Sequence, residues 1–230
     1  FETQDGERRY VVHVPTSYDG TKALPVLLHL HGGLGTAESS DTSTSFSALA
    51  EERGFLLVYG EGTKGRISFT SWNAGGCCGQ SQEKNNNVDD VRYVREVLTQ
   101  VQEKFQVHQN RIYVSGMSNG SMLANRLACE IPELIAGVAT VSGTTQVSQC
   151  DPTRALPHII IHGTADDNVP YYGGKSGSPL NSGTFAAVED EFKTWAKRNG
   201  CSGDIVTTSI SSEGSDGTSV DKLSFASCPK

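Results

Sequence analysis

The sequence predicts one α/β domain over residues 1–230, with a mostly parallel β-sheet sandwiched between helices. Three observations indicate this fold class: short apolar segments alternate with longer amphipathic ones, most apolar segments are continuous, and glycines bound them. With 230 residues and 36% hydrophobic content, the chain is long enough to bury one sizeable core.

Six short segments have the composition of strands. The first alternates apolar and polar residues, whereas the later ones are mainly apolar, as expected for strands that helices cover on both faces. They are residues 10–14, 26–31, 55–59, 112–115, 137–141 and 158–162.

Three amphipathic segments predict helices. The first has Asn87 as its N-cap, Asp89 in its first turn and an apolar stripe that continues to Phe105. The second covers residues 119–131 and ends before a proline, and the third covers residues 184–199 and ends before a glycine. This order of strands and helices favours a doubly wound sandwich.

Charge and hydropathy restrict the partners. The net charge is −7 and no basic cluster is present, which argues against nucleic acid and anionic membranes as partners. No apolar run approaches the roughly 20 residues that cross a bilayer. We expect no cofactor, and the sequence does not predict an oligomeric state.

The cysteine content predicts disulfide bonds. An even number of cysteines, without a C-x-x-C pair, favours an oxidising compartment over a metal site. We expect Cys201 and Cys228 to form a local bridge after the third helix. The other four allow three connectivities, which stay open, although a vicinal Cys77–Cys78 bond is disfavoured because it would be strained. The six cysteines are Cys77, Cys78, Cys129, Cys150, Cys201 and Cys228.

The motif Gly116-Met117-Ser118-Asn119-Gly120 predicts a nucleophile. It follows a predicted strand and opens a predicted helix, which is the setting of a G-x-S-x-G elbow that projects a serine hydroxyl above a sheet. A glycine–serine turn without function is the alternative. Asn119 also begins the sequon Asn119-Gly120-Ser121, but its place in the elbow predicts that it carries no glycan.

A glycine-rich segment after the second strand predicts an oxyanion hole. Residues 29–35 read HLHGGLG, and glycines allow backbone N–H groups to turn toward a substrate oxygen. We expect one donor from Gly33 or Leu34 and the other from the N–H of Met117. His31 is interpreted as a structural residue that hydrogen-bonds this loop.

The segment HGTADDNVP, residues 162–170, predicts the catalytic acid. It follows the strand at 158–162, and a carboxylate here fits the chain order serine, acid, histidine. Asp166 is the predicted acid, Asp167 the alternative, and His162 is interpreted as structural. Trp72 either lines a site for a sugar or an aromatic acyl group, or packs inside a loop.

These motifs together resemble the secreted serine esterases that include polyhydroxybutyrate-depolymerase-type, feruloyl and acetylxylan esterases (carbohydrate esterase family one). The resemblance implies an α/β-hydrolase fold, an extracellular, disulfide-bearing enzyme and ester substrates linked to plant-wall polysaccharide, or polyesters. It supports Ser118 as nucleophile and Asp166 as acid. The stretches that carry it are LHLHGGLGT from Leu28, SWNAGGCCG from Ser71, VDDV from Val88, RIYVSGMSNGSM from Arg111, LACEIP from Leu127 and HGTADDNVPY from His162.

The chain departs from this pattern at the catalytic base. Such esterases carry a histidine after the acid, whereas none of the six histidines here follows Asp166. We therefore expect a C-terminal part of the sheet, with the base, to be missing from residues 1–230. Three hypotheses remain: an esterase whose chain lacks its C-terminal end, a pseudo-enzyme that binds glycan or ester, and a structural protein on a hydrolase fold.

Overall fold

A central six-stranded sheet organises the protein. The computed structural model describes residues 1–64, 69–77, 88–178, 181, 183–210 and 217–229. The strands are β1 (Glu2–Thr3), β2 (Gly6–Glu7), β3 (Tyr10–His13), β4 (Leu24–Leu30), β5 (Leu56–Gly60), β6 (Thr63–Lys64), β7 (Thr70–Ser71), β8 (Val107–Met117), β9 (Gly137–Val141), β10 (His158–Ile161), β11 (Gly174–Lys175), β12 (Thr184–Phe185), β13 (Ser202–Ile210) and β14 (Val220–Ser227). The helices are α1 (Ala37–Ser43), α2 (Phe46–Arg53), α3 (Asp90–Lys104), α4 (Asn119–Glu130) and α5 (Val188–Arg198).

The sheet has the strand order β10-β9-β8-β4-β5-β3. All neighbouring strands are parallel except β3, which pairs antiparallel with β5 at one edge. The mostly parallel sheet predicted from the apolar segments is therefore confirmed. Because β4, β8 and β10 run in the same direction, the loops that follow them lie along one edge of the sheet. That edge brings the three predicted catalytic segments together.

The two faces of the sheet bury different side chains of the same strands. Val26, Leu28 and Leu30 of β4 point into the larger core, which includes the apolar stripe of α3 and the inner face of α4. Leu27, between them, packs on a smaller cluster around Leu57. This alternation follows from the two-residue period of a strand and explains why β4 is apolar at every position except His29.

The helix predictions need three corrections. The N-cap of α3 is Asp89, whose carboxylate accepts from the Arg92 N–H, while Asn87 lies outside the described residues. α5 begins at Val188, because Thr184–Phe185 instead pair with Gly174–Lys175. The third correction is the missed helix α1, which begins with a capping box but has a polar sequence and so lacks an apolar period.

The apolar periodicity of the sequence also did not predict α2 or the β13–β14 hairpin. Helix α2 is short and buries one residue, Ala50. The hairpin β13–β14 is a separate two-stranded sheet, and most of its residues are half-buried or exposed. Within the described residues, no helix has the length and apolar character needed to span a membrane.

Two disulfide bonds are described in full. Cys201–Cys228 confirms the predicted local bridge and joins the two ends of the β13–β14 hairpin. Cys129–Cys150 ties the end of α4 to the loop after β9. Closing loops of 21 and 27 residues in the unfolded chain stabilises the fold by about 3 kcal/mol each in the chain-entropy description. Cys77 is also disulfide-bonded, and Cys78 lies outside the described residues.

Candidate active site

Ser118 sits in a sharp turn between β8 and α4. Its φ of 50° and ψ of −121° place a non-glycine residue in a strained backbone conformation. A Cβ atom on Gly116 would lie 2.4 Å from the Gly120 carbonyl oxygen, and one on Gly120 would lie 2.2 Å from that of Leu30. Both glycines are therefore required, because the turn leaves no space for a side chain. Ser118 is half-buried. A strand–turn–helix elbow of this kind projects the serine hydroxyl above the edge of the sheet.

The residue after Ser118 holds a neighbouring loop. The Asn119 side chain accepts a hydrogen bond from the Trp72 N–H at 2.7 Å and donates to the Trp72 carbonyl at 3.1 Å. Asn119 is only 2% exposed. An amide buried in two backbone contacts is a poor acceptor for an oligosaccharide, which supports the prediction that this sequon is unmodified.

The glycine-rich loop lies against the elbow. A Cβ on Gly32 would lie 3.5 Å from the Cβ of Ser118, and one on Gly33 would lie 4.0 Å from that of Asn119. Leu34 has a positive φ of 72°, and its N–H donates to the Thr70 carbonyl at 2.9 Å. The prediction of Leu34 as an oxyanion donor is therefore wrong, because its amide is already paired. Gly33 stays the candidate from this loop.

The second predicted donor also needs correction. The Ser118 N–H donates to the Val141 carbonyl of β9 at 2.8 Å. Successive amides of a strand point to opposite sides, so the N–H of Met117 faces β4 within the sheet rather than the space above Ser118. The residue that follows the nucleophile opens the helix, and its N–H points out of the helix N-terminus. Asn119 thus replaces Met117 as the candidate, and its position directly after the serine is a signal already present in the motif.

His31 has a structural role, as predicted. Its Nδ1 bonds the Gly32 carbonyl at 2.7 Å, and its Nε2 accepts from the Gly62 N–H at 2.9 Å. Nδ1 therefore carries the proton. Burial, partly opposed by the bond to Gly32, lowers the pKa of His31. Both ring nitrogens are thus engaged in holding the loop, and neither faces Ser118.

Trp72 does not line a substrate site. Its side chain is 0% exposed, and its indole N–H donates to the His31 carbonyl at 2.8 Å. The interpretation of Trp72 as a substrate-binding residue is therefore wrong, and the packed-loop alternative holds. Buried indoles need a hydrogen-bond acceptor, and here the acceptor belongs to the glycine-rich loop. Trp72 links that loop to Asn119.

The Asp166 side chain is half-buried beyond the end of β10. One carboxylate oxygen accepts from the N–H groups of Asn168 and Val169, both at 2.9 Å, and the other accepts from the Ser142 hydroxyl. Burial raises the pKa of Asp166, but the bonds from Ser142, Val169 and Asn168 outweigh it, so the pKa lies below the usual value. Asp167 is exposed. The geometry favours Asp166 over Asp167 as the ionised, oriented acid.

The histidines of the described chain do not bond to Ser118. His29, on β4, bonds the Ser115 hydroxyl at 2.9 Å, and His158 lies near the Thr140 hydroxyl at 3.3 Å. His162 lies near enough to the acid to lower the pKa of Asp166, but its Nδ1 bonds the Gly163 carbonyl at 3.1 Å and its Nε2 is buried. Among the described residues no cluster of three or more histidine, cysteine or carboxylate side chains could hold a metal ion.

Comparison of the sequence with known proteins finds a matching family. The family described as Esterase PHB depolymerase matches residues 9–171, which include Ser118 and Asp166. Feruloyl esterase B of Piromyces equi is 30% identical over 206 residues, which are 86% of this chain and 36% of that protein. The bifunctional acetylxylan esterase/xylanase XynS20E of Neocallimastix patriciarum is 27% identical over 160 residues, which are 70% of this chain and 22% of that protein.

A solved structure supports the fold. A thermostable esterase superposes with a TM-score of 0.58 at 16% identity and covers 86% of this chain and 49% of its own. The α/β-hydrolase fold is thereby confirmed. The chain spans 36% and 22% of the two curated relatives, so their names describe much longer proteins.

Proposed function

Because the chain belongs to the Esterase PHB depolymerase family, we propose that it carries the nucleophile, acid and oxyanion loop of a serine carboxylic-ester hydrolase. The observation that carries the proposal is the geometry of Ser118. Ser118 lies in a strained turn, and the glycine-rich loop packs against that turn. Asp166 is held by hydrogen bonds two strands away. This arrangement supports assigning the nucleophile, the oxyanion loop and the acid of a serine hydrolase to these segments.

The reaction follows from these positions. The Ser118 oxygen attacks the ester carbonyl carbon, the serine proton passes through a base to the leaving alcohol, and an acyl-serine forms. Water then attacks the acyl group and releases the acid and the serine. The N–H groups of Gly33 and Asn119 would stabilise the oxyanion, and losing one such donor typically costs about 3 kcal/mol in the barrier. Asp166 would orient the base, which is not supplied by a described residue in contact with Ser118.

For the substrate, we propose esters linked to plant-wall polysaccharide. The names of two relatives, a feruloyl esterase and an acetylxylan esterase/xylanase, support this class. The side chain of Met117, 51% accessible, offers apolar surface beside Ser118 for an acyl group, and Leu34 in the glycine-rich loop is 56% accessible. The family description favours hydroxybutyrate polyesters as the second candidate. Two disulfide bonds support an extracellular location.

One experiment tests the activity and separates the substrates. The protein as naturally produced, its intact mass recorded, is assayed with methyl ferulate, acetylated xylan and a hydroxybutyrate trimer, beside a Ser118→Ala variant and the 230-residue chain alone. We expect hydrolysis of a polysaccharide-type ester, fluorophosphonate labelling at Ser118, and at least a 10⁴-fold loss in Ser118→Ala. The 230-residue chain should react slowly, because no histidine follows Asp166.

Other outcomes have distinct meanings. Turnover of only the hydroxybutyrate trimer would select the polyester alternative. Turnover by Ser118→Ala at the parent rate would refute the serine mechanism. Binding of the esters without labelling or turnover in every form would support the pseudo-enzyme hypothesis.

A further inference from the structure

The last residue of β9 and the two residues after it together contact both proposed catalytic residues. The Val141 carbonyl accepts from the Ser118 N–H at 2.8 Å, and the Ser142 hydroxyl donates to the Asp166 carboxylate. Gly143 lies under the elbow, where an added Cβ would come within 2.9 Å of the Ser118 carbonyl oxygen. This segment, residues 141–143, lies between the nucleophile strand β8 and the acid strand β10.

Ser142 is held in an unusual backbone conformation. Its φ is 56°, one of three positive values among the non-glycine residues described, together with Ser118 and Leu34. Its N–H donates to the Ile161 carbonyl of β10 at 3.0 Å. A serine with positive φ costs roughly 1 kcal/mol or more, so the surrounding contacts must impose this conformation. The backbone bond fixes Ser142 to the strand that leads into the acid loop, and the hydroxyl then reaches the carboxylate.

We propose that Ser142 is a positioning residue for Asp166: its hydroxyl holds the carboxylate ionised and oriented, and its backbone sets the separation between acid and nucleophile. The proposal rests on the role proposed above for Asp166. The residues that lead into Asp166 add little to this restraint, because Gly163, Thr164 and Ala165 are exposed. The Asn168 and Val169 amides bind one carboxylate oxygen, so Ser142 alone orients the other among the described contacts.

The charged groups near the carboxylate are few in the described part of the chain. His162, directly after β10, lowers the pKa of Asp166, and Asp167 is the next residue after Asp166 in the loop. Neither occupies the oxygen that Ser142 binds. Removal of the Ser142 hydroxyl should therefore leave that oxygen without a donor among the described residues and destabilise the ionised carboxylate.

Two variants separate the hydroxyl group from the backbone. Ser142→Ala removes the hydroxyl and keeps a Cβ at positive φ, whereas Ser142→Gly removes the hydroxyl and relieves the backbone. The Asp166 side-chain carboxyl is titrated by carbon NMR in the parent and in both variants. We expect the Asp166 midpoint to move to higher pH in both variants.

The possible results either support or overturn the proposal. An upward shift in both variants supports it. An unchanged midpoint in both, or a shift in Ser142→Ala alone, overturns it, because the hydroxyl would then not hold the carboxylate. Ser142→Gly keeps the test valid if Ser142→Ala fails to fold. Turnover by the natural form should fall roughly tenfold in Ser142→Gly. If Asp166→Asn leaves turnover unchanged, the proposed acid fails while the titration still decides the role of Ser142.

Discussion

The nucleophile and the acid are held in place by different means. The elbow is packed so tightly that Gly116 and Gly120 admit no Cβ, and Asn119 and Ser121 behind it are buried. The acid loop is open: a Cβ on Gly163 would meet nothing within 4 Å, and Asp166 is held by hydrogen bonds alone. Steric packing leaves a residue pattern in the sequence, whereas a hydrogen-bonded loop accepts many sequences. The comparison predicts different responses to substitution on the two sides.

The largest effect should come from the acid itself. Asp166→Asn keeps the shape of the side chain but removes the carboxylate that would stabilise a charged base, so turnover by the natural form should fall on the order of 10⁴-fold. Asp167→Asn, at the exposed neighbouring position, is the matched control and should retain activity. The assay is ester hydrolysis under saturating substrate. Equal losses in both variants, or a loss only in Asp167→Asn, would mean that the wrong carboxylate was chosen.

A pair of glycine substitutions compares the tightly packed elbow with the open acid loop. Gly120→Ala would place its Cβ 2.2 Å from the Leu30 carbonyl oxygen and 2.3 Å from that of His31, so we expect a loss of about 3 kcal/mol or more in the free energy of unfolding. Gly163→Ala meets no neighbour and should change it by less than about 0.5 kcal/mol. Urea unfolding followed by circular dichroism measures both. Similar losses at the two positions would contradict the proposed difference between the regions.

The free energy of unfolding should fall on acidification, because each of the two regions contains a buried histidine. Burial, with the nearby His31, lowers the pKa of His29 to about 4, and burial, with Arg198, lowers the pKa of His158 to about 3. The folded protein therefore binds these protons less readily than the unfolded chain, whose histidines titrate near 6.5. Their contribution to stability is present above pH 6.5 and is lost as the pH falls toward 4 and 3. At about 1.4 kcal/mol per pKa unit, the full effect is roughly 3 kcal/mol for His29 and roughly 5 kcal/mol for His158.

This pH dependence is measured as the urea midpoint between pH 7.5 and 4.5. His158→Gln should show a shallower decrease than the parent, and His108→Gln, at an exposed position, should follow the parent. An identical decrease in all three proteins would show that His158 does not contribute to acid sensitivity.

The smallest effect is expected at His162. This residue lies near Asp166, yet its Nδ1 faces the Gly163 carbonyl and its Nε2 is buried, so it should not act as the base for Ser118. We expect His162→Gln to change the rate of fluorophosphonate labelling by less than about threefold, a change equivalent to about 0.7 kcal/mol. Loss of labelling in this variant, with the fold intact, would identify His162 as the base and would show that the acid loop is organised differently.

The sequence predicted the strands of the central sheet and the motifs that follow them. Five of the six strands lie within two residues of the predicted ranges, and β8 begins five residues before its predicted start. The apolar composition of β4 and β5 reflects their burial in the sheet, whereas Ile159 and Ile161 of the edge strand β10 are exposed. The predictions failed where a contact joins distant segments. The Leu34 amide is paired by Thr70, and Trp72 is enclosed by His31 and Asn119. Neither contact has a spacing that local sequence could reveal.

Sequence alone determined the elbow, the glycine-rich loop and the chain order of serine and acid, because close backbone packing permits few residue types at each position. Only the tertiary structure decided which amides remain candidates for the oxyanion hole, that Cys129 pairs with Cys150, and that Ser142 reaches Asp166. Those choices depend on which segments meet after the strands pair. Hydrogen bonds and disulfides between such segments depend on the distance and orientation of groups that are far apart in the chain. The residue types alone therefore do not reveal which groups pair.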